Sequence, residues 1–446
     1  MKTLDSEVIK YLNKYQINGY KLIWNRNNNI TTAVVIPAIK EYLNIRKLLK
    51  SLTETNTAFF PTTLFVFVIN NTPSSDDQIK KDNLDTLDLM KNILSQYRVD
   101  NLITDVIGSG LNVGYIDAST PGNELSEKEG GVGIARKIGM DEALTIFDYT
   151  ADISKLLICL DADCTVENNY LDAIHTVFLK ENAKAASVSF EHVINSNEEE
   201  DRAITCYEIF LRYYVLSLKY AGSYYAFHTI GSAMACDHET YIKAEGMNKK
   251  KAAEDFYFLE KISKNTKIFN INSTKVFPSG RKSWRVPFGT GQRVSRFHAG
   301  THDEYSLYNP DAFEILKEWL ILFHQDYHMN PVQYLHQAKL ISKSLYDFLI
   351  LQNFESNMEK ILKSSKTDKQ LRKQKLGWFD GFKTLKLIHF LRDNETPNIF
   401  MLEALDIIFG KLNACYQAWD NKCFPDQKIL YGYLNKLRTL DKEKII

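Results

Sequence analysis

The sequence predicts an α/β protein with a Rossmann-like sandwich and a mainly parallel central sheet, followed by an all-helical C-terminal region. Three short runs, Thr32–Pro37, Leu64–Ile69 and Leu156–Leu160, are apolar at nearly every position and alternate with stretches of helical spacing. Strands of this kind are buried on both faces, as in a parallel sheet covered by helices. Beyond about residue 305, apolar residues recur at helical spacing and no further strand pattern occurs.

The chain has 446 residues, and its 55 Lys and Arg residues balance 55 Asp and Glu residues. Because nucleic-acid binders usually have a basic excess, zero net charge argues against a nucleic-acid partner. An apolar content of 44% supplies a core and excludes a disordered chain. Because the length exceeds what one core usually supports, we predict a helical lead-in over 1–30, an α/β domain over 31–304 and a helical domain over 305–446.

The cysteines and the N-terminal residues indicate the cellular compartment that we expect for the protein. Six cysteines without CxxC spacing are typical of buried, reduced thiols in a cytosolic protein. The first 16 residues contain acidic side chains and no apolar core, unlike a signal peptide. Tyr213–Cys236, the most apolar stretch, is interrupted by Lys219 and His228. We therefore predict a cytoplasmic protein with at most peripheral contact at the inner face of a membrane.

The remaining elements of the α/β part follow from spacing. Helices are predicted over 41–52, 84–97, 134–147 and 170–181. Ile103–Ile107 is predicted as a short strand, and Gly108–Gly133, which contains seven glycines, as a long loop. Ligands of open α/β sheets bind beyond the carboxyl ends of the strands. These ends fall at Pro37, Asn70 and Asp161, where we expect the binding site.

Two carboxylates, Asp161 and Asp163, follow the third apolar run and flank Ala162. Extended residues two positions apart point to the same side and can converge on one cation. Mg²⁺ or Mn²⁺ commonly takes one or two carboxylates together with substrate phosphates. An Asp-x-Asp pair can also be an ordinary turn or helix cap, but its place after a buried strand favours a metal site.

A second acidic pair, Glu254-Asp255, begins an apolar helical stretch. Acidic residues there can simply cap the helix. The functional alternative is a general base, because a carboxylate beside a hydroxyl can accept its proton during attack.

Two glycine-containing segments have different meanings. In Gly133–Ala143, the glycines permit close approach to a ligand at a helix start, and Arg136 could pair with a diphosphate. In Gly108–Gly114, the glycine offsets do not match the dinucleotide fingerprint, which argues against an NAD site.

Together, these motifs resemble those of the family 2 glycosyltransferases of the GT-A fold, over roughly residues 32–300. The resemblance lies in VVIPAIKE at 34–41, GIARKIGMDEA at 133–143, LDADC at 160–164, GSAMA at 231–235 and ED at 254–255. Five motifs in the same order are more specific than any one of them.

The resemblance implies a metal-dependent, inverting hexosyltransferase that uses a nucleoside-diphosphate sugar, with UDP-sugars favoured. Asp163, helped by Asp161, would hold Mn²⁺ or Mg²⁺ at the diphosphate. Asp255 would be the base, oriented by Glu254. The nucleotide pocket would be formed by Pro37, Ala38, Glu41, Asn70, Arg136 and Ala162. Gly231 and Ser232 would lie on the acceptor side. The acceptor would be a carbohydrate, a lipid-linked compound or a small molecule.

The segment Lys275–His302 combines aromatic, basic and histidine residues. It is either a basic surface loop or a segment that closes over the diphosphate, because arginine matches phosphate oxygens. The residues concerned are Arg281, Trp284, Arg285, Arg293 and Arg296. His298 and His302 are candidates for a third metal ligand or, with Asp303, for a zinc site.

The sequence also departs from the family pattern at three positions. Ile39 stands where a tyrosine is usual, Asn70 where an aspartate is usual, and Lys137 where an asparagine is usual. Two alternatives remain: a nucleotidyltransferase acting on a sugar phosphate, and a catalytically inert binding module. The former usually has a glycine-rich, basic loop after the first strand, which Pro37–Glu41 lacks.

Overall fold

A computed structural model describes most of the chain. The described residues are 4–25, 29–194, 198–281, 289–325, 329–414, 416 and 425–443. They form two compact units. The first consists mainly of Met1–Val193 and Thr229–Gly280, and the second mainly of Ile194–His228 and Thr290–Ile446. The domain boundary near residue 305 stays a prediction.

The helices and strands are numbered in chain order. The helices are α1 Ser6–Tyr15, α2 Tyr42–Thr53, α3 Asp77–Leu94, α4 Asn101–Ser109, α5 Val132–Leu144, α6 Tyr170–Lys180, α7 Glu198–Tyr220, α8 His238–Lys243, α9 Glu254–Ser263, α10 Thr290–Ala299, α11 Pro310–His324, α12 Pro331–Ile341, α13 Lys343–Leu351, α14 Phe354–Ser364, α15 Asp368–Trp378, α16 Gly381–Asn394, α17 Met401–Lys411 and α18 Gln427–Lys442. The strands are β1 Leu22–Trp24, β2 Thr32–Ala38, β3 Thr63–Asn70, β4 Val113–Ala118, β5 Leu156–Cys159, β6 Thr165–Val166, β7 Ala185–Phe190, β8 Met234–Asp237, β9 Ile268–Phe277, β10 Ser306–Leu307 and β11 Ile399–Phe400.

The first unit is built on a nine-stranded sheet with the order β1-β4-β3-β2-β5-β8-β7-β9-β6. The four strands β4, β3, β2 and β5 are parallel neighbours, and β7 pairs in parallel with β9. The antiparallel ladders, which join β1, β8 and β6 to the sheet, have two to four residue pairs each. The predicted α/β class with a mainly parallel central sheet is therefore confirmed.

The three apolar runs are the central strands β2, β3 and β5. Every residue of β3 and β5 is buried, as expected for strands covered on both faces. Side chains of β2 and β3 form the core together with helices on the sheet, among them Leu48, Leu87 and Ile174. The predicted helices over 41–52, 84–97, 134–147 and 170–181 correspond to α2, α3, α5 and α6.

Two local predictions were wrong. Ile103–Ile107 belongs to helix α4, because Asp100 caps its first turn and Ile103 and Val106 share its buried face. The glycine-containing segment predicted as a loop includes strand β4. Gly114 lies in that strand, where a Cβ atom would lie 2.9 Å from Cβ of Trp24 on β1. The close approach of the edge strand β1 therefore explains Gly114. The sequence pattern alone does not distinguish such a glycine from a loop glycine.

The second unit is helical, as predicted for the C-terminal region. Its core contains Trp319, which is fully buried and stacks on Phe323 with ring centroids 4.9 Å apart. Tyr334 and Phe354 pack edge-on against the same indole. The two-residue strands β10 and β11 form a small antiparallel ladder that the sequence pattern did not reveal.

Within the described part of the chain, no helix combines the length and the apolar character needed to cross a bilayer. The described cysteines are buried free thiols, namely Cys159, Cys164, Cys206 and Cys236.

Helix α5 lies against β2 and β3 and is buried along most of its length. A Cβ atom at Gly139 would overlap Val35 of β2 and lie 2.8 Å from Cγ2 of Val68 on β3. A glycine is therefore required for the close approach of this helix to the sheet.

We expect Gly139→Ala to lower the free energy of unfolding of the first unit by about 1–3 kcal/mol, because the added methyl group overpacks the core. Gly108→Ala is the matched control. Gly108 also lies in a helix of the first unit, but no atom lies within 4 Å of a Cβ placed there. The control should be neutral or slightly stabilising. Urea denaturation followed by circular dichroism measures both. Equal effects of the two substitutions would contradict the packing argument.

Candidate functional site

The candidate site lies at the carboxyl ends of β2, β3 and β5. Asn70, the last residue of β3, is buried, and its side-chain nitrogen donates to the carbonyl oxygens of Ala38 at 3.0 Å and Val68 at 3.2 Å. The side chain thus ties the end of β3 to the end of β2. The role in the nucleotide pocket that the resemblance implies for Asn70 would then involve its amide oxygen.

A second asparagine at this edge was not found from the sequence. Asn83, on the buried face of α3, donates to the carbonyl oxygen of Asn70 at 3.0 Å and to Oδ1 of Asn71 at 2.8 Å. Its own Oδ1 accepts from the backbone N–H of Lys40 at 3.0 Å. The signal in the sequence was a polar residue at a buried position of an amphipathic helix. Asn83 fixes the loops that follow β2 and β3.

The other residues predicted for the nucleotide pocket lie at the same edge. Pro37 is partly exposed, whereas Ala38 is buried. Glu41 is the N-cap residue of α2, three positions after the end of β2. It is 3% exposed, and its Oε2 accepts from Asn44 at 2.6 Å. Ala162 is buried in the turn after β5.

Asp161 and Asp163 follow β5 in a tight turn, closed by a hydrogen bond of 3.1 Å from the N–H of Cys164 to the carbonyl oxygen of Asp161. Both carboxylates are partly exposed on either side of buried Ala162. Their oxygens are suitable ligands for a hard divalent ion. No cluster of three or more His, Cys, Asp or Glu side chains that could hold a metal occurs among the described residues. An ion at this turn would therefore need further oxygens, which a diphosphate can supply.

Arg136 connects the two acidic motifs. Its guanidinium group, 2% exposed, lies 2.5 Å from Oδ1 of Asp161 through Nη2 and pairs with Oε1 of Glu254 through Nη1. Helix α5 thus links the turn after β5 to the first residue of α9. Because burial of an unpaired charge is costly, these two carboxylates are needed to keep the guanidinium inside the protein.

Arg136 leaves no room for a side chain at Gly231, the glycine of the segment 231–235. A Cβ atom at Gly231 would lie 2.6 Å from Nη2, 2.7 Å from Nη1 and 2.9 Å from Cζ of Arg136. Ser232, next in the chain, is buried and hydrogen-bonds Cys164 in the turn after Asp163. Gly231 and Ser232 therefore form the wall behind Arg136 and the acidic turn.

Glu254 and Asp255 begin helix α9, after Ala253 in a left-handed conformation with φ of 58°. Burial raises the pKa of Glu254 to about 7, although Arg136 acts in the opposite direction and Asp255 adds to the increase. Burial also raises the pKa of Asp255, again opposed by Arg136. Oδ1 of Asp255 accepts from the N–H of Phe256 at 2.7 Å. The pair thus combines one carboxylate held by arginine with a second, partly exposed one.

On the opposite side of α5, Lys137 replaces the asparagine expected from the resemblance. Its ammonium group lies 2.9 Å from Oδ2 of Asp141 and donates to the hydroxyl of Tyr11 on α1 at 2.9 Å. The hydroxyls of Tyr11 and Tyr241 each donate to Oδ1 of Asp141 at 2.8 Å. This buried network joins α1, α5 and α8 and was not predicted from the sequence.

The predicted donor or acceptor loop falls partly outside the described residues. Trp284 and Arg285 lie outside them, whereas Arg281 is the last described residue before the gap. Arg293 and Arg296, on α10 of the second unit, pair with the carboxylate of Glu304 at 2.5 and 3.1 Å.

The two candidate histidines also belong to the second unit. Nδ1 of His298 lies 2.8 Å from Oε1 of Glu199, and His302 contacts the hydroxyl of Thr301 at 3.0 Å. Their proposed roles as metal ligands stay predictions.

Neither a protein-family model nor a curated protein matches the chain. Among solved structures, it is similar to S. aureus TarS 1-349, with a TM-score of 0.36 and 13% identity over 78% of this chain and 89% of that one. The complex of TarS 1-349 with UDP-GlcNAc matches with a TM-score of 0.35 and 12% identity over 93% and 91% of the two chains. The mannosyltransferase PcManGT from Pyrobaculum calidifontis, in complex with GDP-Man and Mn²⁺, matches with a TM-score of 0.34 and 12% identity over 98% and 95%. At this level of similarity, no activity or substrate transfers between chains.

The raised pKa of Glu254 predicts a specific pH dependence of stability. The folded state binds a proton more tightly than the unfolded chain, in which the pKa is near 4.5. The stabilisation is therefore complete below about pH 4.5 and is lost as the pH rises to about 7. We expect Glu254→Gln to remove this pH dependence, so that the difference in unfolding free energy between the variant and the wild type shifts by up to about 3 kcal/mol in favour of the variant as the pH rises from 5 to 8, whatever its absolute value.

Urea unfolding at the two pH values measures this difference. The control is Glu239→Gln on α8, because this glutamate is 57% exposed and pairs only at the surface with Lys243. Its stability relative to the wild type should not change with pH. A constant difference between Glu254→Gln and the wild type would contradict the assigned pKa.

Proposed function

We propose that the first unit is a glycosyltransferase that moves a sugar from a nucleoside-diphosphate sugar, preferably a UDP-sugar, to an acceptor hydroxyl with inversion. The supporting observation is the buried contact of Arg136 with both Asp161 and Glu254. It brings the Asp-x-Asp turn and the Glu-Asp pair to one edge of the sheet. The Asp-x-Asp turn suits a donor diphosphate, and the Glu-Asp pair suits an acceptor hydroxyl.

The donor would lie across the carboxyl ends of the parallel strands, where open α/β sheets bind their ligands. The nucleoside would contact the edge formed by Pro37, Ala38, Glu41 and Asn70. The diphosphate would then reach the turn that contains Asp161 and Asp163. In this arrangement Arg136 would support the turn and would not contact the diphosphate itself, because its guanidinium group is already paired with two carboxylates.

The acidic turn fits a divalent ion, either Mn²⁺ or Mg²⁺, held mainly by Asp163. Asp161 would assist, since one of its oxygens is bonded to Arg136. When bound, such an ion supplies Lewis-acid stabilisation of the charge on the leaving diphosphate. Arg136 keeps the Asp161 carboxylate oriented.

Asp255 would act as the general base. Its carboxylate accepts the proton of the acceptor hydroxyl while the hydroxyl oxygen forms a bond to the anomeric carbon, and the bond from that carbon to the diphosphate oxygen breaks. Attack opposite the leaving group inverts the anomeric centre. The raised pKa of Asp255 makes it a better proton acceptor than an ordinary carboxylate. Glu254 is less suited to this role, because Arg136 already occupies its carboxylate.

The acceptor would be a carbohydrate, a lipid-linked compound or a small molecule, and we place the reaction in the cytoplasm. The nucleotidyltransferase alternative is disfavoured because only Ile39 and Lys40 separate β2 from Glu41, the N-cap residue of α2, and no glycine-rich basic loop lies between them. The inert binding module is disfavoured because Arg136 holds Asp161 and Glu254, one residue of each acidic motif, at the same edge of the sheet.

We expect Asp163→Ala to abolish the Mn²⁺-dependent part of nucleotide-sugar binding, because the main proposed ligand of the ion is removed. A nucleotide sugar present at about 100 times its Kd stabilises the wild type by about 2.7 kcal/mol, which a thermal-shift assay with and without Mn²⁺ detects. The control is Asp88→Ala, since this aspartate is 69% exposed on α3. It should keep the wild-type shift. No Mn²⁺-dependent shift of the wild type with UDP-, GDP-, CMP- or dTDP-sugars would overturn the proposal.

We expect Asp255→Asn to bind the nucleotide sugar normally but to lower kcat for transfer by about 10²–10⁴-fold, because the general base is lost. In the wild type, kcat/KM should rise with pH through the raised pKa of Asp255, since only the deprotonated carboxylate accepts a proton. The variant should not show this rise of kcat/KM with pH. Glycosylated product, quantified by mass spectrometry over a pH series, provides the measurement. Transfer at the wild-type rate by Asp255→Asn would show that another group is the base.

A further inference from the structure

The second unit contains a cavity of about 530 Å³ that the proposed reaction does not use. It lies between the start of α7, the end of α10 and the turn that follows α10. Its volume is within the usual range for small-molecule sites, roughly 300–1,000 Å³. The side chains that matter for its chemistry are Glu199, Arg202, Phe297, His302, Asp303 and Tyr305.

Two aromatic rings form the apolar part of the wall. The ring centroids of Phe297 and Tyr305 are 5.8 Å apart, and the planes are inclined by 55°. Both rings are partly buried and pack on the core of the second unit, which holds them in place. They present rigid apolar faces to the cavity, and such faces suit a ligand that has both C–H surfaces and polar groups.

The polar side chains that line the cavity are held by hydrogen bonds to Tyr305 and His298. Arg202 hydrogen-bonds the hydroxyl of Tyr305. Asp303 accepts from the backbone N–H of Tyr305 at 3.0 Å. Glu199 is 67% exposed and accepts from the ring of His298. The wall thus offers carboxylate acceptors and a guanidinium donor beside the rings.

The charged groups at this cavity are mostly acceptors. The lining contains one guanidinium group, of Arg202, and the carboxylates of Glu199, Asp303 and Glu304. The side chain of Glu304 is 7% exposed and pairs with Arg293 and Arg296, which do not line the cavity. A wall with more carboxylates than cations does not favour a phosphate or another anionic ligand. It favours a neutral ligand rich in hydroxyl groups.

From this combination we infer that the cavity binds a neutral saccharide. The rings of Phe297 and Tyr305 would pack against the C–H faces of a sugar ring, and Glu199 and Asp303 would accept hydrogen bonds from its hydroxyls. Such binding does not require the donor site of the first unit. The further idea that the bound saccharide is part of the acceptor rests on the proposed function.

Saturation-transfer difference NMR on the full chain tests the inference. The probes are neutral trisaccharides at 10 mM: maltotriose, cellotriose, mannotriose, galactotriose and chitotriose, with trigalacturonic acid as the charged comparison. We expect at least one neutral probe to receive saturation and to bind more tightly than the charged one. Failure of every neutral probe, or binding of the charged probe alone, would overturn the inference.

Variants locate the binding. Glu199→Gln with Asp303→Asn preserves side-chain volume and should raise the Kd of the bound probe about tenfold through loss of two charge-assisted hydrogen bonds. Phe297→Ala should weaken it by a similar factor through loss of a ring face. The control, Glu359→Gln on α14, changes a glutamate that is 51% exposed in the same unit and should leave the Kd unchanged. An unchanged Kd in the double variant would place the saccharide elsewhere and overturn the inference.

The donor site is tested separately on the same proteins. The Mn²⁺-dependent thermal shift with UDP-glucose should be the same in the wild type and in the cavity variants. A chain that binds a saccharide here but no nucleotide sugar would contradict the proposed function and support the cavity site. A chain that binds a nucleotide sugar but no saccharide would support the proposed function and overturn the cavity site.

Discussion

The first unit depends on the burial of one guanidinium group. Arg136 is 2% exposed, and its two carboxylate partners are 25 and 118 residues away in the sequence. A buried charge of this kind is tolerated only when its partners are in place, and removal of one partner typically costs about 3–5 kcal/mol. The turn after β5, helix α5 and the start of α9 must therefore converge before this part of the protein is stable. The same requirement explains the absence of a side chain at Gly231.

This interaction couples stability to the proposed chemistry. Three acidic side chains, those of Asp161, Glu254 and Asp255, lie around the one guanidinium group of Arg136. When all three are ionised, the site therefore contains more negative charge than Arg136 balances, and burial raises the pKa of Glu254 and of Asp255 in response. A surplus of this kind is unfavourable for folding and favourable for binding a cation. It supports the view that the edge of the sheet is arranged for a ligand and not for maximal stability.

Much of this arrangement could be predicted from local patterns. Runs without polar residues identified β2, β3 and β5, and the residues after them identified the edge at which Asp161 lies. The partner of Arg136 could not be found in this way, because a pairing over 118 residues leaves no local pattern. The same holds for Asn83 and for the contact of Lys137 with Tyr11, because these partners come from other elements. Strand β4 was missed for a different reason, since the glycine that lets β1 approach it has the same appearance as a loop glycine.

The network around Asp141 has a consequence for the beginning of the chain. Helix α5 has two polar sides, one of which directs Arg136 to the acidic motifs while the other directs Lys137 and Asp141 to Tyr11. The hydroxyl of Tyr11 therefore satisfies buried groups on the same helix that supports the candidate site. A chain shortened beyond Tyr15 would leave the ammonium and carboxylate groups facing an empty slot beneath α5. Helix α1 is thus part of the packing that holds α5, the helix that carries Arg136.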